Sequence, residues 1–342
     1  PLAHHGYDWW WHSFTAQDAE PGEDKPFFIE FFVCNPALAE DKPVLGQLPE
    51  NLAAGKKPSY LMVKAGTWGE DACQLHRFFA WKDVNMHGDA PYQIEAADCL
   101  ACETALKGKI SVTPEAAHPE WMCDAGEMSW DISVDKQIAF NVGYGASKPL
   151  RDAEAFAMYW HAEGMKTAYS GNVTFNGREY TVTPERSYGY ADKNWGRDFT
   201  TPWVWLSSNC LTSKKTGRRL QNSVFDIGGG RPKIYFAPLD RRLLGVFYYE
   251  GKEYDFNFSK LHLRVKTDFS FEEHDEEVIW HVRQENIHAA METEVHCLKK
   301  DMLLINYEAP DGSRHHNRLW NGGNGWGTVK LYDSNGKKDD KP

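Results

Sequence analysis

The sequence predicts an all-β fold made of successive antiparallel hairpins, and three observations predict it. Short apolar or alternating runs recur along the chain, turn-forming residues separate them, and helical periodicity is nearly absent. Phe27-Phe-Ile-Glu-Phe-Phe-Val33 stops at Asn35-Pro36, and Tyr60-Leu-Met-Val-Lys64 stops at Gly66. Met128-Ser-Trp-Asp-Ile-Ser-Val134 alternates with a period of two, the pattern of a half-buried strand. Asn176-Gly177, Asp311-Gly312 and Asn335-Gly336 supply residues that tolerate φ > 0, as tight hairpin turns require.

Val173-Thr-Phe-Asn-Gly-Arg-Glu-Tyr180 and Phe247-Tyr-Tyr-Glu-Gly-Lys-Glu-Tyr254 share a pattern of apolar residues, Gly, a basic residue, Glu and Tyr. Each reads as a hairpin. The match is either a common hairpin solution or the trace of two related domains. With 342 residues, two domains of ordinary size fit, and the boundary is placed after residue 198, giving 1–198 and 199–342. The basic stretch Thr212–Arg219 is an alternative marker or an ordinary hairpin loop. Ala37 to Lys57 carries neither period and reads as a long loop over one end of a barrel. The tail after Tyr332 has almost nothing apolar to bury and is expected to be disordered.

Composition narrows the partners. A formal charge of −11 with scattered Lys offers no cationic face to a phosphate backbone, which argues against nucleic acid. No apolar run approaches the roughly 18 to 20 residues needed to span a bilayer, and Pro1-Leu-Ala-His-His-Gly6 lacks a charged region followed by an apolar stretch. Seven cysteines, an odd number without dense pairing, fit reduced thiols, so a cytoplasmic location is expected. The 14 Trp, 15 Tyr and 18 Phe exceed what a core needs, so some of these rings are expected to line a site for a flat or greasy small molecule.

The segment Tyr188-Gly-Tyr-Ala-Asp-Lys-Asn-Trp-Gly196 concentrates chemistry. In an extended strand Tyr188, Tyr190, Asp192 and Asn194 share one face, and Gly189, Ala191, Lys193 and Trp195 the other. A carboxyl set among rings loses hydration, which raises its pKa and makes Asp192 a candidate general acid. Tyr190 and Asn194 would orient it or hold a substrate oxygen. The other reading has Asp192 capping a turn or pairing with Lys193 or Arg197. Glu30 shares a strand face with Phe28 and Phe32, so either it lines the site or that face meets solvent. His161, beside Trp160, is a candidate base or a hydrogen-bonded structural histidine.

Gly189-Tyr-Ala-Asp-Lys-Asn-Trp-Gly196 with Trp203 and Trp205 resembles the signature of the tocopherol cyclase family. That family is similar to the bacterial carotenoid 1,2-hydratase group, also called hydroxyneurosporene synthase, and to its lipocalin-like relatives. The likeness extends to Trp160-His-Ala-Glu-Gly-Met-Lys166 and to Gly322-Gly-Asn-Gly-Trp-Gly-Thr-Val-Lys-Leu-Tyr332. It implies two lipocalin-like antiparallel β-barrel or β-sandwich domains around an apolar pocket. It also implies cyclisation, hydration or isomerisation of an alkene without a redox cofactor, with the family's acid mapping to Asp192. Protonating a double bond needs an acid away from water and π faces for the resulting cation. The expected catalytic set is Asp192, Tyr190, His161 and Glu30. The expected substrate-binding set is Asn194, Trp195, Trp160, Trp203, Trp205, Trp10 and Tyr188. The substrate class is a hydrophobic, phenolic or prenylated small molecule. The competing function is a lipocalin-like carrier that binds such a molecule without chemistry; a carbohydrate-active β protein would instead need an open groove.

Remaining motifs are read as structural. His4-His5-Gly-Tyr-Asp-Trp-Trp-Trp-His12 contains three His and an Asp, but adjacent histidines do not converge on one ion without a defined turn, and no metal centre is expected. Cys99-Leu-Ala-Cys102 lacks a second pair and the setting of a redox motif. Gly228-Gly-Gly230 is a hairpin or bulge and not a phosphate cradle.

Overall fold

The computed structural model describes all residues except 1–4, 19–23, 37, 40, 88–90, 120–122, 141–147, 201, 235–236, 241, 313–316 and 334–342. Strands β1 (Tyr7–Asp18), β2 (Lys25–Cys34), β3 (Tyr60–Thr67) and β4 (Cys73–Phe79) follow one another as antiparallel neighbours. Aromatic and β-branched residues suit such pleated surfaces. All eight residues of β3 are buried, and so is every residue of β2 except Lys25. Burial on both faces is why Phe27–Val33 shows no alternation. On its other side β1 pairs with the strand Gly189–Gly196, which is buried throughout.

Near its end β1 also pairs with Arg178–Val182, and from there Lys166–Phe175, Gly126–Ile138 and Ala105–Val112 continue a 13-stranded sheet. One face encloses an apolar core that takes Trp10, Phe14, Phe27, Ile29 and Phe31 from the early strands and Trp130, Ile132 and Val173 from the later ones. Gly126–Ile138 buries Met128, Trp130, Ile132 and Val134 and leaves the residues between them outside the core, the period of two read in its sequence.

The chain divides into two units. The first comprises residues up to Ala139, Ala162–Phe199 and Asp301–Gly323. The second comprises Phe140–His161, Thr200–Lys300 and the chain from Asn324. It contains two four-stranded antiparallel sheets, one running from Trp203–Ser208 to Lys252–Asp255 and one from Lys266–Glu273 to Trp326–Asp333. Phe225, Ile227, Leu243 and Phe247 of one sheet share a core with Val282, Ala289 and Met291 of the other. The architecture is all-β, built from antiparallel sheets.

The boundary expected after residue 198 lies next to one crossing, but neither unit is a single stretch of chain. The hairpin formed by Met302–Tyr307 and Asn317–Gly322 returns to the first unit. It is tied there by hydrogen bonds from Tyr60 Oη to Glu308 (2.8 Å), from Asn35 Nδ2 to the Pro310 carbonyl (2.7 Å) and from Gln74 Nε2 to the Leu304 carbonyl (2.6 Å). Such a return is invisible to a reading of consecutive hairpins.

The two similar segments are the same hairpin in different units. Asn176-Gly177 (φ 49° and 81°) and Glu250-Gly251 (φ 42° and 94°) each hold two left-handed residues between paired strands. Residues 212–219 form an ordinary loop closed by Thr212 opposite Arg219. In the 37–57 segment, Pro49–Ala53 forms one helical turn and the backbone N–H of Gln47 is held by Glu308. Asn335-Gly336 and the tail lie outside the described residues. Among the described residues no helix is long and apolar enough to cross a membrane.

Candidate active site

The alternation of β1 divides the first unit's chemistry between two faces. Trp10 and Phe14 enter the apolar core with Phe27, Ile29, Phe31 and Val33. Tyr7, Trp9, Trp11 and Ser13 point the other way, where the register sets them beside Cys34, Phe32, Glu30 and Phe28 of β2. From the opposite flank, Gly189–Gly196 places Asn194 beside Trp9, Asp192 beside Trp11 and Tyr190 beside Ser13. Cross-strand neighbours have Cβ atoms about 5 Å apart, so these side chains form one layer.

A polar row crosses that layer on five strands: Asp192, Trp11, Glu30, Lys64 and His76 are successive cross-strand partners. Asp192 is buried, and its Oδ2 accepts from Tyr190 Oη (3.3 Å) and from Asn194 Nδ2 (3.4 Å). Glu30 and Lys64 are fully buried and form an ion pair at 2.9 Å. Tyr307 donates its hydroxyl to Glu30 Oε2 at 3.2 Å. Burial pushes the Glu30 carboxyl up against the pull of Lys64, and pushes the Lys64 ammonium down against the pull of Glu30. Burial, and secondarily Lys64, holds His76 neutral by lowering its pKa well below the usual histidine range.

Next to this row the rings of Tyr7, Trp9, Phe32, Phe199 and Tyr307 stack on one another. Centroids are 4.4 Å apart for Tyr7 and Phe199, 5.3 Å for Trp9 and Tyr307, and 5.6 Å from Tyr307 to both Phe32 and Phe199. The Lys64 ammonium sits 3.7 Å from the centre of the Tyr307 ring, so this aromatic surface already receives a cation. Burial raises the Tyr307 phenol well above its ordinary value, with the charges of Glu30 and Asp192 adding to the effect. The layer therefore combines carboxyl groups withdrawn from water, groups that orient them, and π faces within one sheet.

Residues 108–338 match the model of the tocopherol cyclase-like family. The chain belongs to that family. Membership supports a cyclase-like enzyme. No curated protein sequence matches the chain. Two solved structures are similar at 11% identity and a TM-score of 0.43. One is a proposed AttH protein from Nitrosomonas europaea, the match covering 97% of this chain and 94% of that one. The other is kievitone hydratase from Nectria haematococca, with 96% and 89% covered.

For this family member, the structure brings together Asp192, Tyr190, Asn194 and Glu30 in the first unit. Glu30 is not at solvent; it is wholly enclosed. Tyr188 is half-buried and stacks at 6.5 Å on Tyr190. Trp10 is on the opposite face, in the apolar core beneath the Lys193 ammonium (3.7 Å), because it alternates with Trp9 and Trp11. Lys193 also lies 5.8 Å from the Trp195 ring, which places Trp195 with Lys193 and not with Asp192. Lys193 pairs with Asp8 at 2.8 Å, so the alternative partner for Asp192 is engaged elsewhere.

Trp160 and Trp203 belong to the second unit, where they line a pocket of about 50 Å³ with Phe156, Tyr159, Leu244 and Phe258. Trp205 donates its indole N–H to Asp226 Oδ1 (3.0 Å) in the same unit, and His161 is half-buried there. These four do not join Asp192 within one unit.

The residues missed by sequence reasoning are Tyr7, Trp9, Trp11, Lys64, His76, Phe199 and Tyr307. A lone Lys ending an apolar run was the one legible signal for Lys64; Tyr307 had none, since its partner Glu30 lies far away in sequence. His12 is fixed between Tyr169 Oη (2.9 Å) and Tyr92 Oη (3.5 Å), and burial lowers its pKa to about 3, so it serves the core. His4 lies outside the described residues. Among the described residues no His, Cys, Asp and Glu group is arranged to hold a metal ion. Cys99 and Cys102 are free thiols three apart on one strand, so their side chains point to opposite faces.

Proposed function

We propose that the chain is an acid–base enzyme that protonates a carbon–carbon double bond of a hydrophobic, phenolic or prenylated small molecule and needs no redox cofactor. One observation carries the reading: Asp192, held by Tyr190 and Asn194, is buried on the same sheet face as a stack of five aromatic rings. The Asp192 carboxyl gives its proton to one alkene carbon, and the neighbouring carbon becomes cationic. Tyr307, Trp9 and their neighbours offer π faces to that cation, worth about 0.5 to 2 kcal/mol per well-placed ring.

A substrate phenol then closes a ring, water adds, or an adjacent C–H loses a proton. In each case one proton returns to Asp192 and no electrons are exchanged. Glu30 is the second carboxyl, placed to assist the returning proton or the cation. The three outcomes share the first step and differ in what is held near the cation.

General acid catalysis of this kind contributes roughly 10²- to 10⁴-fold in rate. Asp192→Asn should lose about that much turnover of an ortho-prenylated phenol while keeping wild-type circular dichroism and melting. In D₂O the product should carry one deuterium on carbon. Near-normal turnover in Asp192→Asn would remove Asp192 from the mechanism. Unchanged return of every ligand by the wild-type protein, with Asp192→Asn altering affinity alone, would make the protein a carrier.

A further inference from the structure

Four groups in the polar row do not deliver the proton to the alkene: the Trp11 indole, the Lys64 ammonium, the His76 ring and the second oxygen of Glu30. All four residues are at most 5% exposed. Among the described residues, Trp11 Nε1, Glu30 Oε1 and both ring nitrogens of His76 have no hydrogen-bond partner. Buried polar atoms in native proteins are nearly always partnered, so several exceptions on consecutive strands of one sheet face call for an explanation. Neutral His76 offers one donor and one acceptor. The row thus presents an indole donor, a carboxylate acceptor, an ammonium and an imidazole side by side. Flat walls flank it: Phe28 stacks on Trp11 at 5.1 Å and Phe78 meets the edge of His76 at 6.0 Å.

We propose that this row binds an oxygenated head group on the substrate, in which a carbonyl acceptor stands next to a hydroxyl donor. The hydroxyl donates to Glu30 Oε1, and the carbonyl accepts from Trp11, His76 or Lys64. The hydrocarbon part then lies on the aromatic stack beside Asp192. Because Glu30 and Lys64 already neutralise each other, a neutral head group fits better than a carboxylate, whose charge would be left uncompensated in a buried layer. The inference rests on the same face being the substrate site, and it adds a selectivity that proton transfer alone does not require.

Binding of two probes of one carbon skeleton tests it: hydroxymethyl β-naphthyl ketone and β-ethylnaphthalene, titrated calorimetrically into the full chain. Transfer from water favours the hydrocarbon, so a preference for the ketone must come from polar contacts. Wild type should bind the ketone at least roughly tenfold more tightly, the scale of one or two hydrogen bonds to charged groups. Trp11→Phe, which removes the N–H from a ring already stacked on Phe28, should cut that preference severalfold. Glu30→Gln/Lys64→Met should bring it close to parity.

Asp192→Asn should keep the preference while losing turnover, which separates failure of this inference from failure of the proton-transfer reading. Equal affinities in wild type, no binding of the ketone, or a preference that survives both Trp11→Phe and the double variant would overturn the proposal. Should the double variant not fold, the wild-type comparison and Trp11→Phe decide it.

Discussion

Among the described residues, replacing Lys64 with Met removes the only cation that the buried Glu30 carboxylate faces at ion-pair distance and leaves it the Tyr307 hydroxyl. Breaking a fully buried pair from one side costs about 3 to 5 kcal/mol. An independent route gives a similar figure. Glu30 can escape the cost by keeping its proton, and holding one at pH 7 on a carboxyl that ordinarily releases it near 4.5 costs about 3 kcal/mol, at about 1.4 kcal/mol per pH unit. The sign follows from the raised folded-state pKa. The variant keeps its stability below the unfolded value near 4.5 and loses it as pH rises toward the folded value.

Urea unfolding followed by Trp fluorescence at several pH values between 4.5 and 8 measures this directly. Lys64→Met should nearly match wild type at the acid end and fall about 3 kcal/mol below it at pH 7. Glu30→Gln/Lys64→Met, which carries neither charge, should recover much of the loss. A loss under about 1 kcal/mol at pH 7, a loss independent of pH, or a double variant no better than Lys64→Met would refute the account of Glu30 and Lys64 as mutually dependent charges.

Two further outcomes follow from the same layer. Burial raises the Glu308 carboxyl to about 7 despite hydrogen bonds from Tyr60 and Gln47, so its contribution is complete below pH 4.5 and is lost as pH rises through about 7. Glu308→Gln should flatten that part of the stability–pH curve, a change of about 3 kcal/mol that chemical unfolding at pH 5 and pH 8 would reveal. Tyr307→Phe keeps the ring and should hold turnover within about tenfold. Tyr307→Leu should lose up to about thirtyfold more, the upper range of one cation–π contact, as read from initial rates.

How much was legible in advance depended on sequence distance. The strand Gly189–Gly196 announced which of its side chains share a face, because alternation is a local property; Tyr190, Asp192 and Asn194 are joined as that alternation requires. The same rule, applied to β1, would have separated Trp10 from Trp9 and Trp11, yet it could not say which row meets the apolar core. That choice is made by β2, whose pairing sets Trp11 opposite Glu30. Glu30 looked ambiguous because its answer lies in Lys64 and Tyr307, one on the next strand and one near the far end of the chain. The tryptophans of the second unit drew notice by their rarity, which carries no information about which carboxyl they would accompany.

The returning hairpin has a consequence for how the protein comes into being. Tyr307 and Glu308 are made long after Asp192, and only when they arrive do Glu30 and Tyr60 gain their phenol and carboxylate partners. A ribosome-bound chain lacking them would expose Trp9 and Phe32, two of the rings that Tyr307 packs against, together with a charged pair meant for a dry interior. The nascent chain therefore lacks Tyr307 and Glu308 as partners for this layer until residues 302–322 emerge, and a chain stopped short of residue 301 lacks that strand pair altogether.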